Sequence, residues 1–181
     1  MLTWLMRAAV RRMEKRYDYD AAYLHDLLSA GPRALTAFLG VQKLARYREG
    51  APSEALAAAG LVATLAEDCG SCVQIGVRIG QEQGVSPAVL RGVLTGDAGL
   101  MGADAGLAYG FAQASLVRDL ERADPLRDEV LRRWGPRGLA ALALAMASAR
   151  VYPTVKYAMG HGKTCSQVRV DGEAVRVVKA E

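Results

Sequence analysis

The stretch Leu65-Ala66-Glu67-Asp68-Cys69-Gly70-Ser71-Cys72-Val73-Gln74 joins two apolar segments at a pair of cysteines spaced Cys-x-x-Cys. On both sides, over residues 53–66 and 70–83, apolar residues recur every three and four positions, the spacing of a buried helix face. Working outward, the same period runs over 2–16, 20–29, 32–47, 86–95, 104–122, 125–134 and 136–159, with glycine or proline between the runs. The chain is therefore expected to be all-α. Pro32, Ser53, Ser86-Pro87 and Pro136 mark helix starts, because proline fits the first turn and serine caps it.

Alanine and glycine crowd the helix faces at 55–59, 105–114 and 140–149, which lets helices approach closely inside a core or a subunit interface. Pro153 falls within the last long run and is expected to kink or restart it near Val151-Tyr152. The tail has a different period. Residues 167–170, Gln-Val-Arg-Val, then Asp171-Gly172, then Glu-Ala-Val-Arg-Val-Val read as a short β-hairpin around an Asp-Gly turn.

With 181 residues, 51% of them hydrophobic and 23% charged, the chain suits one compact domain. The formal charge of +4 gathers toward the ends, in Arg7, Arg11, Arg12, Lys15 and Arg16 and again in Arg169, Arg176 and Lys179. A charge so small, with 6% aromatic residues, excludes a nucleic-acid-binding surface. Residues 1–16 place Leu2, Leu5, Met6, Ala9 and Met13 on one face, fit either for a membrane surface or for docking on the core or a neighbouring subunit. Docking is the expectation. Arg7 interrupts the first apolar stretch before a secretory signal forms, so the protein is read as cytoplasmic. The longest apolar run, 138–149, is too short to span a bilayer.

Three cysteines do not make a disulfide framework, which leaves redox, metal or core roles for the thiols. In the first turn of a helix, Cys69 and Cys72 would share one side, with backbone amides directed at the sulfurs. Glu67 and Asp68 disfavour a thiolate at Cys69, so Cys72 is the better nucleophile. Glu67 also reads as a base for thiol exchange, and Asp68 as the helix N-cap. A metal reading adds His161 and Cys165 to the pair as a four-ligand zinc set, and His161 alone reads as a hydrogen-bond partner of the thiols.

Elsewhere, Tyr17, Tyr19 and Tyr23 read as ring packing at a helix end capped by Asp20, and Trp134-Gly135-Pro136 as a helix stop. Arg150, Tyr152, Lys156 and Tyr157 are polar positions on an apolar helix, facing either a cavity near the cysteines or solvent. No phosphate loop, Ser-His-Asp set or carboxylate pair is visible, and no cofactor is called for.

The stretch 65–74, the helix to Gln83, the turn Gly84-Val85-Ser86 and the helix from Pro87 to Leu94 resemble the alkylhydroperoxidase D-like, carboxymuconolactone decarboxylase family. There a helix leads into Cys-x-x-Cys, a second follows, and a Gly-Val/Ile-Ser/Thr turn opens the next. The resemblance covers about residues 53–96. It implies an all-helical bundle that assembles as a homo-oligomer and reduces hydroperoxides by cycling between dithiol and disulfide; in such a cycle an external dithiol protein is expected to restore the pair. It also implies that Cys72 attacks and Cys69 resolves. The chain departs from the peroxidases at two relay positions. Gly76 stands four residues after the second cysteine where they have histidine, and Ala57 stands twelve before the first where they have glutamate. Glu67 or His161 is left to replace that relay. The decarboxylase members do not rely on a cysteine pair, and nothing here transfers their reaction.

The leading expectation is thus a thiol-dependent antioxidant oxidoreductase, acting by hydroperoxide reduction or by dithiol–disulfide exchange through the Cys-x-x-Cys pair. Its alternatives are a non-catalytic helical oligomer that binds a small apolar ligand or partner protein, and a zinc protein.

Overall fold

A computed structural model describes residues 2–162 and 167–178. In chain order it contains α1 (Leu2–Tyr17), α2 (Ala22–Ala30), α3 (Pro32–Leu39), α4 (Gln42–Ala45), α5 (Ser53–Leu65), α6 (Gly70–Glu82), α7 (Pro87–Thr95), α8 (Ala98–Leu116) and α9 (Leu120–Ala158). A single antiparallel pair follows, β1 (Arg169–Val170) and β2 (Glu173–Ala174). The fold is all-α with a short C-terminal hairpin, as the periodicity implied.

α5 lies at the centre, packed against α6, α7, α8 and α9. Its sequence explains the position: Ala55, Ala58, Ala59 and Ala63 are fully buried, and side chains this small bring neighbouring helix backbones close. Larger residues from around it fill the space, among them Leu90, Val93, Leu94 and Leu142, all fully buried. Each contributes about 1.5–3 kcal/mol by leaving water. A second apolar cluster joins Val10, Tyr23, Leu24, Leu28, Leu35 and Phe38 to Val151, Tyr152, Val155 and Met159 of α9 and Ile75 of α6. The Cys-x-x-Cys turn leads into α6, which gives Val73 and Val77 to the first cluster and packs Ile75 against the second.

Both long helices are broken. Gly102 in α8 (φ 69°, ψ −179°) and Gly135 in α9 (φ 64°, ψ −174°) hold a backbone conformation that is essentially restricted to glycine. The Gly135 break matches the stop read at Trp134-Gly135-Pro136. The expected restart at Pro153 does not occur: the buried proline is accommodated within helical dihedrals, and α9 continues to Ala158.

Other boundaries shift for local reasons. The run read as 32–47 divides at Gly40-Val41. The run read as 104–122 begins earlier, where Asp97 accepts from the Gly99 amide at 2.9 Å, and ends at Leu116. There Arg118 turns left-handed and Asp119 caps α9 by accepting from the Arg122 amide. Ser53 does not cap α5, since Pro52 holds that position, whereas Ser86 does cap α7.

The docked face of α1 is Met6, Val10, Met13 and Tyr17, a rotation from the expected stripe, and it leaves Leu5 and Ala9 exposed. The hairpin turns at Asp171-Gly172, both at positive φ, as a two-residue turn of type I′ requires. Gln74 pairs with the Arg169 backbone through both its amide atoms, at 3.1 and 2.6 Å, and so ties the hairpin to α6. A window of α9 is long and apolar enough to cross a bilayer by length and composition, with mean hydropathy 1.3. This helix breaks at Gly135, and it buries Ala141, Leu142, Met146 and Ser148 in the core.

Candidate functional site

The turn between α5 and α6 presents the cysteines. α5 ends with the Glu67 and Asp68 amides donating to the Thr64 and Leu65 carbonyls, at 3.2 and 3.1 Å. Asp68 then takes a left-handed conformation, φ 50°, which Asp tolerates better than most residues. Cys69, not Asp68, is the N-cap of α6, because the Asp68 turn places the next residue at the head of the helix. Cys72 is the third residue of that helix, so the two side chains share one side of its first turn. They form a disulfide, with their Cα atoms 5.2 Å apart.

Both cysteines are buried, at 6% and 4% exposure. The Tyr19 hydroxyl lies 3.8 Å from Cys72 Sγ, and the Ser71 hydroxyl 3.6 Å from Cys69 Sγ. Lys156, only 1% exposed, donates from Nζ to Ser71 Oγ at 2.8 Å and sits 4.9 Å from the centre of the Tyr19 ring. Burial lowers its proton affinity, against an opposing pull from the Asp20 charge. Burial raises the Tyr19 phenol above its ordinary value, so that it stays a neutral donor. Three groups connect the sulfurs through a chain of four contacts, from Cys69 to Ser71, Lys156, Tyr19 and Cys72.

α9 grips the same turn twice more. Arg150 donates to Glu67 at 2.5 Å, and the Tyr157 hydroxyl donates to the Asp68 carbonyl at 2.7 Å. Three of the four polar residues left undecided in the sequence therefore close on the cysteine turn, and the fourth, Tyr152, lines a cavity beside it. Glu67 is held by Arg150. His161 is held by Asp26 of α2, with Nε2 and Oδ2 2.6 Å apart. Among the described residues no hydrogen bond joins Glu67 or His161 to either sulfur. Among them, too, no cluster of three or more His, Cys, Asp and Glu fits a metal ion, and Cys165, the fourth member of the zinc reading, lies outside the described residues.

The cavity, about 570 Å³, runs between α6 and the second cluster. Cys72 lines it; Cys69 does not. Its wall includes a run of edge-to-face rings, Tyr23 on Phe38 and Phe38 on Tyr152, with centroids 5.9 and 5.3 Å apart. Ala57 and Gly76, the two positions where the resemblance expects a relay, open onto this same space.

Tyr19 and Lys156 are the residues that sequence reasoning underrated. Tyr19 was indistinguishable from its packing neighbours, and its place on Cys72 follows only from how α2 docks. Lys156 did carry a signal, a lone cation among Val151, Tyr152, Pro153, Val155 and Ala158.

No protein-family model, curated protein or solved structure matches the chain.

Proposed function

We propose that the protein is a thiol-dependent oxidoreductase of the alkylhydroperoxidase D-like kind, reducing organic hydroperoxides at Cys72. The observation that carries this reading is that Cys72 alone of the pair faces the cavity, while Cys69 stands behind it at disulfide distance.

In the reduced protein the Cys72 thiolate attacks the terminal peroxide oxygen. An S–O bond forms, the O–O bond breaks, and the leaving alkoxide takes a proton to become an alcohol. Cys69 thiolate then attacks the Cys72 sulfur; the S–S bond forms, and the sulfenic oxygen leaves with a proton as water. An external dithiol protein reduces that disulfide by exchange through a mixed disulfide: its own two sulfurs become joined, and both thiols of the pair return. Lys156 and the α6 N-terminus stabilise the thiolates, and the Tyr19 hydroxyl donates to Cys72 sulfur. Glu67 and His161 fix the turn and the end of α9 through their partners.

As in the family it resembles, the working form is a homo-oligomer. Exposed Trp4 and Leu5 on α1 and exposed Ala140, Ala143 and Ala147 on α9 are surfaces for it.

The test is tert-butyl hydroperoxide consumption by the dithiothreitol-reduced protein, with mass mapping of the product. Turnover with a Cys69–Cys72 bond, lost in Cys72→Ser, is expected. A pair that stays reduced, or turnover unaffected by Cys72→Ser, overturns the reading. The cavity also fits a second reading, a ligand-binding oligomer with inert cysteines, in which Cys72→Ser leaves ligand binding intact and no peroxide is consumed.

A further inference from the structure

The cavity wall is mostly apolar, yet it holds a guanidinium nitrogen that is unpaired among the described residues. Arg48, on the segment between α4 and α5, lines the cavity, and among the described residues its Nη2 is buried without a hydrogen-bond partner. A guanidinium nitrogen left unsatisfied away from water is costly, and such groups are ordinarily paired. A second arginine, Arg46, lines the same cavity close enough to act electrostatically on the Tyr152 hydroxyl. The one carboxylate among the lining residues, Glu82, is already engaged by Arg16 at 2.9 Å and by the Tyr17 hydroxyl at 2.8 Å. The space therefore combines an apolar wall of Phe38, Tyr152 and Ile75, two arginines with no free carboxylate among the described lining residues, and the sulfur of Cys72.

We infer that the cavity takes an amphipathic organic carboxylate, its carboxylate on Arg48 and its apolar body along the aromatic wall toward Cys72. A guanidinium suits this role because its planar fork meets a carboxylate with two parallel hydrogen bonds. The inference rests on the oxidoreductase reading for its consequence: the preferred substrate is a hydroperoxide that also carries a carboxylate. The carboxylate stays unchanged while the peroxide is reduced as described.

The test uses the oxidised full-length protein and two probes, 4-phenylbutyrate and 4-phenylbutan-1-ol, with binding followed by calorimetry. The acid is expected to bind at least about tenfold more tightly than the alcohol, the scale of one charge-assisted contact. Arg48→Gln is expected to erase that preference and leave alcohol binding unchanged, while Arg7→Gln on α1 changes neither. Equal binding of the two probes by the wild-type protein overturns the inference, and so does binding of neither. A preference that survives in folded Arg48→Gln overturns it too. If Arg48→Gln does not fold, the wild-type comparison decides. Consumption of tert-butyl hydroperoxide, which has no carboxylate, is measured separately. Turnover without acid preference removes the site and leaves the oxidoreductase; preference without turnover supports the site and removes the oxidoreductase.

Discussion

Lys156 Nζ donates to Ser71 Oγ at 2.8 Å, which places a buried ammonium of α9 against the residue between the two cysteines. Among the described residues no carboxylate lies within 4 Å of it. Besides Ser71 its contacts are the Tyr19 ring and a long approach to the Asp20 carbonyl, 3.5 Å. A buried charge so sparsely paired destabilises the fold, and on the proposed reading its counterpart is a thiolate once the disulfide is reduced.

Replacing Lys156 by methionine keeps most of the volume and removes the charge. In the reduced protein, alkylation of Cys72 by iodoacetamide at pH 7 is expected to slow by roughly tenfold and to recover at high pH, where the thiol ionises unaided. A merely structural lysine would slow the reaction equally at every pH. That flat profile, or no change at all, would remove Lys156 from the site.

The same lysine predicts a pH dependence of stability. Its proton affinity in the folded protein is below the ordinary 10.5 because burial penalises the charged form. Between the folded value and 10.5 the unfolded chain binds more protons, so stability rises with pH across that window and its cost is constant below it. Denaturant midpoints of the oxidised wild type are therefore expected to gain on those of Lys156→Met as pH climbs toward 10.5. Parallel curves would show that the lysine is not desolvated.

Tyr19→Phe removes only the hydroxyl 3.8 Å from Cys72 Sγ and keeps the ring packed edge-on against Tyr23. Because burial holds this phenol protonated through neutral pH, its contribution is that of a donor, on the order of 1 kcal/mol. A fall of about three- to tenfold in the Cys72 alkylation rate, with unfolding shifted by less than about 1 kcal/mol, is the expected outcome. An unchanged rate would reduce Tyr19 to packing.

Gly50 carries the loop before α5 against α9. A Cβ there would meet the Gly138 amide nitrogen at 2.8 Å and the Trp134 carbonyl oxygen at 3.0 Å, and φ is +79°. Both obstacles are backbone, which cannot swing aside. Gly50→Ala is expected to cost about 2 kcal/mol or more in thermal or denaturant unfolding. A loss under about 0.5 kcal/mol would mean that the loop is not seated on α9.

The helices were legible because periodicity, proline and glycine agreed along most of the chain, and the Asp171-Gly172 hairpin because its turn chemistry is local. Boundaries failed where a capping side chain competed with an apolar run, as at Asp119, or where a mid-helix proline was tolerated, as at Pro153. At the site, the spacing of Cys69 and Cys72 marked the pair but left redox, metal and core roles open, and the structure shows the disulfide. Their partners were not found, because Tyr19 and Lys156 lie 53 residues before Cys72 and 85 after Ser71, and only the docking of α2 and α9 on the α5–α6 turn brings them in. Arg48 was invisible for the same reason: nothing in a sequence marks which arginine ends a cavity.

Glu67 and His161, the residues that sequence reasoning offered as a replacement relay, give the sharpest comparison. A proton carrier must stand within hydrogen-bond reach of the group it serves. Glu67 is turned to Arg150, a half-exposed partner at 49%, and His161 to Asp26. The Glu67–Arg150 pair and the His161–Asp26 contact are both partly open to solvent and contribute about 0–1 kcal/mol, so neither substitution is expected to unfold the protein. Glu67→Gln and His161→Ala should each keep the peroxide rate within about threefold of wild type, whereas Lys156→Met loses about tenfold at neutral pH. A tenfold loss in Glu67→Gln, with the fold intact, would instead give Glu67 the proton-transfer role. In that case the Glu67 carboxylate, only two residues from Cys69, would have left Arg150 to reach the sulfur once the Cys69–Cys72 bond is reduced.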